Sequence, residues 1–228
     1  GGGVVLVWGA GGGGWYPACP APGGARRLAL ARERLVPETG RDGAPGRGAS
    51  RLVTGSPADT REQGRPPYNL ITAFEPIGCA AGDTEGLVST LEAAVALAEH
   101  GSAVVLAGWG PPERCATSAV LRVATRLTAR LNDAPRWRPS ARDDLEDVAA
   151  RAGLKPDGSG RVACPFGYAD LDSAVRGLMS TGAFDAAARA TDQAQVEKEL
   201  IEALHGHVRR DGTVWMPNVF RYLIARTP

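Results

Sequence analysis

"SAVVLAGW", Ser102 to Trp109, reads as the clearest strand in the chain. It is short, apolar and partly β-branched, and it carries no charge. That pattern predicts a strand too apolar for a sheet edge, lying in a parallel sheet covered on both faces. "NLITAF", Asn69 to Phe74, reads the same way. Between them, Thr84 to Glu99 sets Leu87, Leu91, Val95 and Ala98 on one face, which is helical spacing. Val4 to Trp8 is a third apolar run. These three strands are expected as neighbours in one parallel sheet.

The chain changes character near Tyr68. Before it, Gly, Pro, Arg and Ala dominate, as in "GRDGAPGRGASR" (Gly40 to Arg51), which has almost no apolar periodicity and predicts a loop. Ala25 to Leu35 reads as a helix, and Arg51 to Thr54 as a short strand. After Tyr68 the pattern is regular. Glu113 to Leu131 predicts a helix; Ser140 with Asp143 resembles a helix start, stopped at Gly153. Val162 to Pro165 opens a further strand region. Asp170 caps a helix running to about Ser180, and Thr191 or Asp192 opens another that ends near Gly206. Thr213 to Arg226 is a strand region bent at Pro217. The alternation argues for a three-layer α/β domain, and the helices between Glu113 and Gly206 interrupt it as a cover.

Composition narrows the function classes. The chain has 228 residues, 43% of them hydrophobic, and a formal net charge of +1. That length builds one real core, and that charge creates no strong field toward nucleic acid or a membrane surface. Cys19, Cys79, Cys115 and Cys164 lack C-x-x-C spacing, which speaks against a zinc site and for a reducing compartment. No apolar run approaches the ~20 residues needed to span a bilayer. The expectation is a soluble cytoplasmic protein, with no nucleic-acid or membrane partner; a homodimer is left open.

Gly9, Gly11 and Gly13 form G-x-G-x-G straight after the first predicted strand. Glycines there let a strand turn sharply and let a nucleotide-like ligand lie against bare backbone, outside the carboxyl ends of the sheet. Taken with "NLITAFEPIGCAAG", "GSAVVLAGWGPPERC" and the tail "DGTVWMPNVFRYLIAR", the order resembles the class I S-adenosylmethionine-dependent methyltransferases. The similarity is greatest to the small-molecule enzymes of actinobacteria. It runs from about Tyr68 to the end and is thin before that.

The resemblance implies a Rossmann-like three-layer α/β fold with a mostly parallel sheet and a helical cover. Residues 1–112 would form the cofactor-binding core, with an irregular N-terminal part. Residues 113–210 would form a substrate-facing helical cover and sheet return, and 211–228 the terminal strand that completes the sheet. It implies S-adenosylmethionine as cofactor and a small-molecule methyl acceptor. Cofactor contacts would come from Gly9, Ala10, Gly11 and Gly13, from Ser56 or Asp59, and from Phe74 and Glu75.

Several carboxylates usual in that family have no counterpart here. Val7 stands where an acid precedes the glycines. Counting back from "LALARERL" puts the end of the second strand near Pro22, where the family has an acid for the ribose hydroxyls. Ser56 stands where an Asp meets the adenine amino group, and Asn69 where an Asp precedes the fourth strand. Each lost charged hydrogen bond costs about 1.5–3 kcal/mol, so two would weaken binding about a hundredfold or more. Three readings stay open: a weak, backbone-held cofactor, a chain that has abandoned methyl transfer, or an altered first third. The rivals are therefore a catalytically inactive methyltransferase-like binding protein and a nicotinamide-dependent oxidoreductase. Gly14 offers the latter a third glycine, but the methyltransferase-like tail opposes it.

Methyl transfer from a sulfonium is a direct displacement. The protein mainly holds three atoms in line, and needs no metal. No residue stands out as the catalytic base. His100 reads as a solvated histidine at a helix end, and His205 and His207 as surface or capping groups near a helix stop. Tyr168, Trp215 and Phe220 read as packing, and Trp109 as a pocket wall or core filler.

Overall fold

The computed structural model describes residues 4–9, 26–31, 50–54, 56–60, 67–129 and 136–228. Its strands and helices, in chain order, are β1 (Val4–Gly9), β2 (Arg26–Ala31), β3 (Ser50–Thr54), β4 (Tyr68–Ile77), α1 (Asp83–Val95), β5 (Ala98–Trp109), α2 (Ala116–Leu127), α3 (Asp144–Arg151), β6 (Lys155–Ala163), β7 (Phe166–Tyr168), α4 (Leu171–Met179), α5 (Asp185–Ala190), α6 (Gln193–Leu204), β8 (Val214–Met216) and β9 (Val219–Arg226). A seven-stranded sheet has the order β3-β2-β1-β4-β5-β9-β6, and β7 pairs with β8 in a separate two-stranded ribbon.

The apolar runs behave as their sequence requires. β1 pairs with β4, and β4 with β5, all parallel, as expected. β2 and β3 continue the parallel ladder on the other side of β1. β9 runs antiparallel to both β5 and β6, so β5 has one parallel and one antiparallel neighbour. Ile71 and Ala73 of β4, Val104 and Leu106 of β5, and Leu223 and Ala225 of β9 face α1 and α3 in one buried core. α3 ends where expected, with Gly153 at φ 71°.

A second core belongs to the cover. α2, α4, α5 and α6 pack Val120, Val175, Leu178, Phe184, Leu200 and Leu204 against Val214 and Met216 of β8. Leu121 and Phe166 touch this core and also a smaller cluster of Trp109, Cys115 and Phe220 at the end of β5. That cluster is the seam between cover and sheet. At the seam, buried Asn218 accepts a hydrogen bond at Oδ1 from the Thr117 N–H (3.0 Å) and donates from Nδ2 to Thr117 Oγ1 (2.9 Å) and the Met216 carbonyl (3.2 Å). Asn218→Ala strands a buried N–H and is expected to cost about 2 kcal/mol. Urea unfolding would measure it, and a loss under ~0.5 kcal/mol, as for an ordinary surface change, would show the bonds dispensable.

Several expectations need correction. Arg26–Ala31 is a strand, not part of a helix from Ala25 to Leu35. Its Arg, Leu and Ala residues are good helix formers, but pairing with β1 and β3 on both sides overrides that propensity. The helix expected over Glu113 to Leu131 is a 3₁₀ turn at Pro112–Arg114 followed by α2; residues 130–135 lie outside the described ones. The strand expected to open at Val162 starts at Lys155 instead. Pro156, Gly158 and Gly160 look like a turn, but they sit on a solvent-exposed edge strand, where such residues are tolerated and blunt the edge. Thr84–Glu99 ends early: the helix stops at Val95, and His100 lies exposed in β5 rather than at a helix end. The loop expected over Gly40 to Arg51 yields Ser50 and Arg51 to β3, and the rest of it lies outside the described residues.

Candidate functional site

Strand order reverses between β1 and β4: the chain runs outward through β2 and β3 on one side and through β5 on the other. In an open α/β sheet the crevice outside the carboxyl ends at such a switch point is where ligands bind. Gly9 is the last residue of β1. The register pairs Trp8 with Ala73, so Gly9 and Phe74 are the next residues along adjacent strands at this point.

The β4 side of the crevice is irregular. The β4–β5 register shifts between Ala73 and Ile77, so Phe74, Glu75 and Pro76 form a bulge at the carboxyl end of the strand. Bulges re-aim side chains and recur beside sites. Phe74 is 39% exposed, a large apolar side chain open to solvent at the switch point. Strand alternation puts it on the face away from α1 and α3, the face that also carries Trp109 and Phe220. Those two rings lie 4.7 Å apart between centroids and are buried, so Trp109 fills a core rather than walling an open pocket.

Ser56 follows β3, two strands beyond β1. Its exposed Oγ accepts the Ala58 N–H at 3.3 Å, at the start of the 3₁₀ turn Pro57–Thr60 that holds Asp59. Gly9, Phe74 and Glu75 are thus brought together by backbone position, and Ser56 and Asp59 stand farther along the same sheet. Ala10, Gly11 and Gly13 lie outside the described residues, as does Pro22.

β2 ends at Ala31, which moves the end of the second strand away from Pro22. In the sequence, Arg32, Glu33 and Arg34 follow it. An acid therefore does come just after the second strand. The helix formers of "LALARERL" imitate the helix that follows a second strand, and so place that strand's end too early.

The loop after β4 is held by charge. Asp83 Oδ2 accepts the N–H groups of Gly78 (2.6 Å), Cys79 (3.1 Å) and Ala80 (3.2 Å). Arg138 pairs with Asp83 at 2.5 Å and with Asp144 at 2.9 Å. Burial pulls the Arg138 pKa down, but the hydrogen bonds it donates to both carboxylates, with their charge, outweigh it and leave it above the ordinary guanidinium value. No sequence signal singled out Arg138, because its partners are 55 and 6 residues away.

The remaining candidates fall away from the crevice. Tyr168 packs against the cover's core, and burial raises its pKa. Trp215 covers Gly167 across the β7–β8 ribbon on its solvent side, 38% exposed, with Arg209 stacked on its ring at 4.5 Å. His205 is exposed and His207 half-buried in a 3₁₀ turn. Among the described residues no cluster of His, Cys, Asp or Glu has the makings of a metal site, and Cys115 and Cys164 are free thiols. No helix among them is long and apolar enough to cross a membrane.

No protein-family model matches the chain, and no curated protein matches it. Solved structures do. A Bacillus halodurans protein proposed to be a methyltransferase is 15% identical, with TM-score 0.53, over 100% of this chain and 94% of its own. A SAM-dependent methyltransferase from Methanosarcina mazei is 7% identical, with TM-score 0.53, over 99% and 92%. The YcgJ protein of Bacillus subtilis is 13% identical, with TM-score 0.52, over 99% and 92%. With a strand order that turns at β1 and β4 and an antiparallel β9 slotted between β5 and β6, these likenesses lead to one conclusion: the chain has the fold of the class I S-adenosylmethionine-dependent methyltransferases.

Proposed function

We propose that the protein transfers a methyl group from S-adenosylmethionine to a small molecule. The observation that carries this reading is the switch point itself: glycine-rich sequence leaves β1 at Gly9, beside the bulge at Phe74–Pro76. Bare backbone from Gly9, Ala10, Gly11 and Gly13 takes the amino-acid part of the cofactor. Phe74 and Glu75 flank it on the β4 side, with Ser56 or Asp59 toward the adenine. Glu33, two residues past β2 in the sequence and outside the described residues, is the carboxylate we assign to the ribose hydroxyls, while Val7 leaves another position without an acid.

The chemistry asks little more of the chain. The sulfonium supplies the activated methyl group, and the protein aligns an incoming oxygen, nitrogen or carbon with it. The cover meets the sheet through Leu121 and Phe166, beside the carboxyl end of β5, and so stands next to the crevice where the acceptor must approach the methyl group.

Calorimetric titration with S-adenosylhomocysteine tests the reading. The wild type is expected to bind. Glu33→Gln is expected to lose about tenfold or more, the worth of charge-assisted hydrogen bonds to the ribose. Equal affinity in Glu33→Gln would remove Glu33 from the site; no binding by the wild type at millimolar ligand would remove the reading itself.

A further inference from the structure

The chain between α2 and α3 crosses the loop that follows β4. The Ala81 N–H donates to the Arg136 carbonyl (2.7 Å), the Arg138 N–H donates to the Cys79 carbonyl (3.2 Å), and Ala80 faces Trp137 in an antiparallel bridge. An extended segment sends neighbouring side chains to opposite sides. Trp137 accordingly turns toward α2, where Arg122 stacks over its ring at 4.0 Å, and Arg138 turns toward α1 and α3. The Ser140 hydroxyl completes the strap by donating to the Gly110 carbonyl at the end of β5 (2.7 Å).

Arg138 is the centre of this strap. It binds Asp83 through Nη2 (2.5 Å) and Nε (3.2 Å), and Asp144 through Nη1 (2.9 and 3.1 Å). The three side chains are only 23%, 15% and 14% exposed, so this is not a solvent-screened surface pair. One oxygen of Asp83 takes the arginine while the other collects the Gly78, Cys79 and Ala80 N–H groups. A planar guanidinium serves two carboxylates at once, which an ammonium does not do in this geometry.

Phe74, Glu75 and Pro76 lie between two fixed points. The last ladder pair before them is Ala73 with Leu106, the first after them is Ile77 with Gly108, and the clamped N–H of Gly78 follows Ile77 directly. We propose that Arg138 is a positioning residue: by neutralising Asp83 and tying it to Asp144, it fixes the loop after β4 and so the pose of Phe74–Pro76 in the cofactor crevice. This rests on the cofactor reading above. Removing Arg138 would leave two half-buried carboxylates without their shared cation and loosen the loop they hold.

The test uses the full chain as wild type, Arg138→Met, Arg138→Lys and Asp144→Asn, each compared at a temperature where it is folded. Amide hydrogen exchange is followed at Gly78, Cys79 and Ala80, with Val104–Leu106 as the internal reference, and S-adenosylhomocysteine affinity is measured by calorimetry. In Arg138→Met, exchange at the three loop amides should accelerate about tenfold or more while the β5 reference stays put. Affinity should fall by about tenfold, since small misplacements of a binding group are costly. Arg138→Lys should recover part of both. Asp144→Asn, which keeps the Asp83 pair, gives a smaller change of the same sign and serves if Arg138→Met does not fold. Unchanged loop exchange, or faster exchange with wild-type affinity, overturns the positioning role alone. A wild type that binds no S-adenosylhomocysteine overturns the cofactor reading and the positioning role together.

Discussion

Gly110→Ala is expected to lower the melting temperature by roughly 10 °C. Gly110 follows β5, and its N–H donates to the Val219 carbonyl at 2.8 Å. A Cβ at this position would run into that same carbonyl oxygen. The oxygen belongs to backbone and cannot swing aside, and it also accepts the Cys115 thiol proton at 3.1 Å. Moving Gly110 instead disturbs its carbonyl, which accepts the Ser140 hydroxyl at 2.7 Å. Overpacking together with a lost hydrogen bond amounts to about 3 kcal/mol, or roughly 6–12 °C for a chain of this size. Thermal melts followed by circular dichroism decide it, and a shift within ~2 °C would mean that the start of β9 gives way easily.

Gly11→Val is expected to abolish S-adenosylhomocysteine binding, a loss of more than about a hundredfold, with little change in the melt. Gly11 follows Gly9, the last residue of β1, by two positions, inside the G-x-G-x-G run. A ligand lying against backbone there leaves no room for a branched side chain. The described cores on β4, β5 and β9 and in the cover supply the stability that keeps the variant folded. Calorimetry on the two proteins settles the point; wild-type affinity in the variant would make the run a plain glycine tract.

The central sheet was legible because its strands are buried and say so. "NLITAF" and "SAVVLAGW" are apolar and uncharged, and burial on both faces demands that. Asp170 was legible too, since its side chain does accept the Ser173 N–H at 2.7 Å, and Asp192 does the same for Gln195. β2 was not legible: "RRLALA" is built from helix formers, and only the strands on either side make it extended. That single error misplaced the end of the second strand and hid Glu33. β6 was hidden for the opposite reason, because an edge strand tolerates Pro, Gly and charge that imitate a turn.

The switch point could be anticipated from the sequence, because glycines directly after a strand have a local cause, and Gly9 does end β1 beside Phe74. Arg138 had none. "RWRPS" carries no periodicity, and its importance appears only when folding brings Asp83 and Asp144 to either side of it.

The central claim is that an S-adenosyl ligand sits outside the carboxyl ends of β1 and β4. The most direct measurement is a titration of S-adenosylhomocysteine into isotope-labelled protein, followed by amide chemical shifts. Saturable shifts are expected at Gly9, along Phe74 to Ala80 and near Ser56, with β6 and α4–α6 unmoved. Shifts centred on the cover, or none at millimolar ligand, would contradict it.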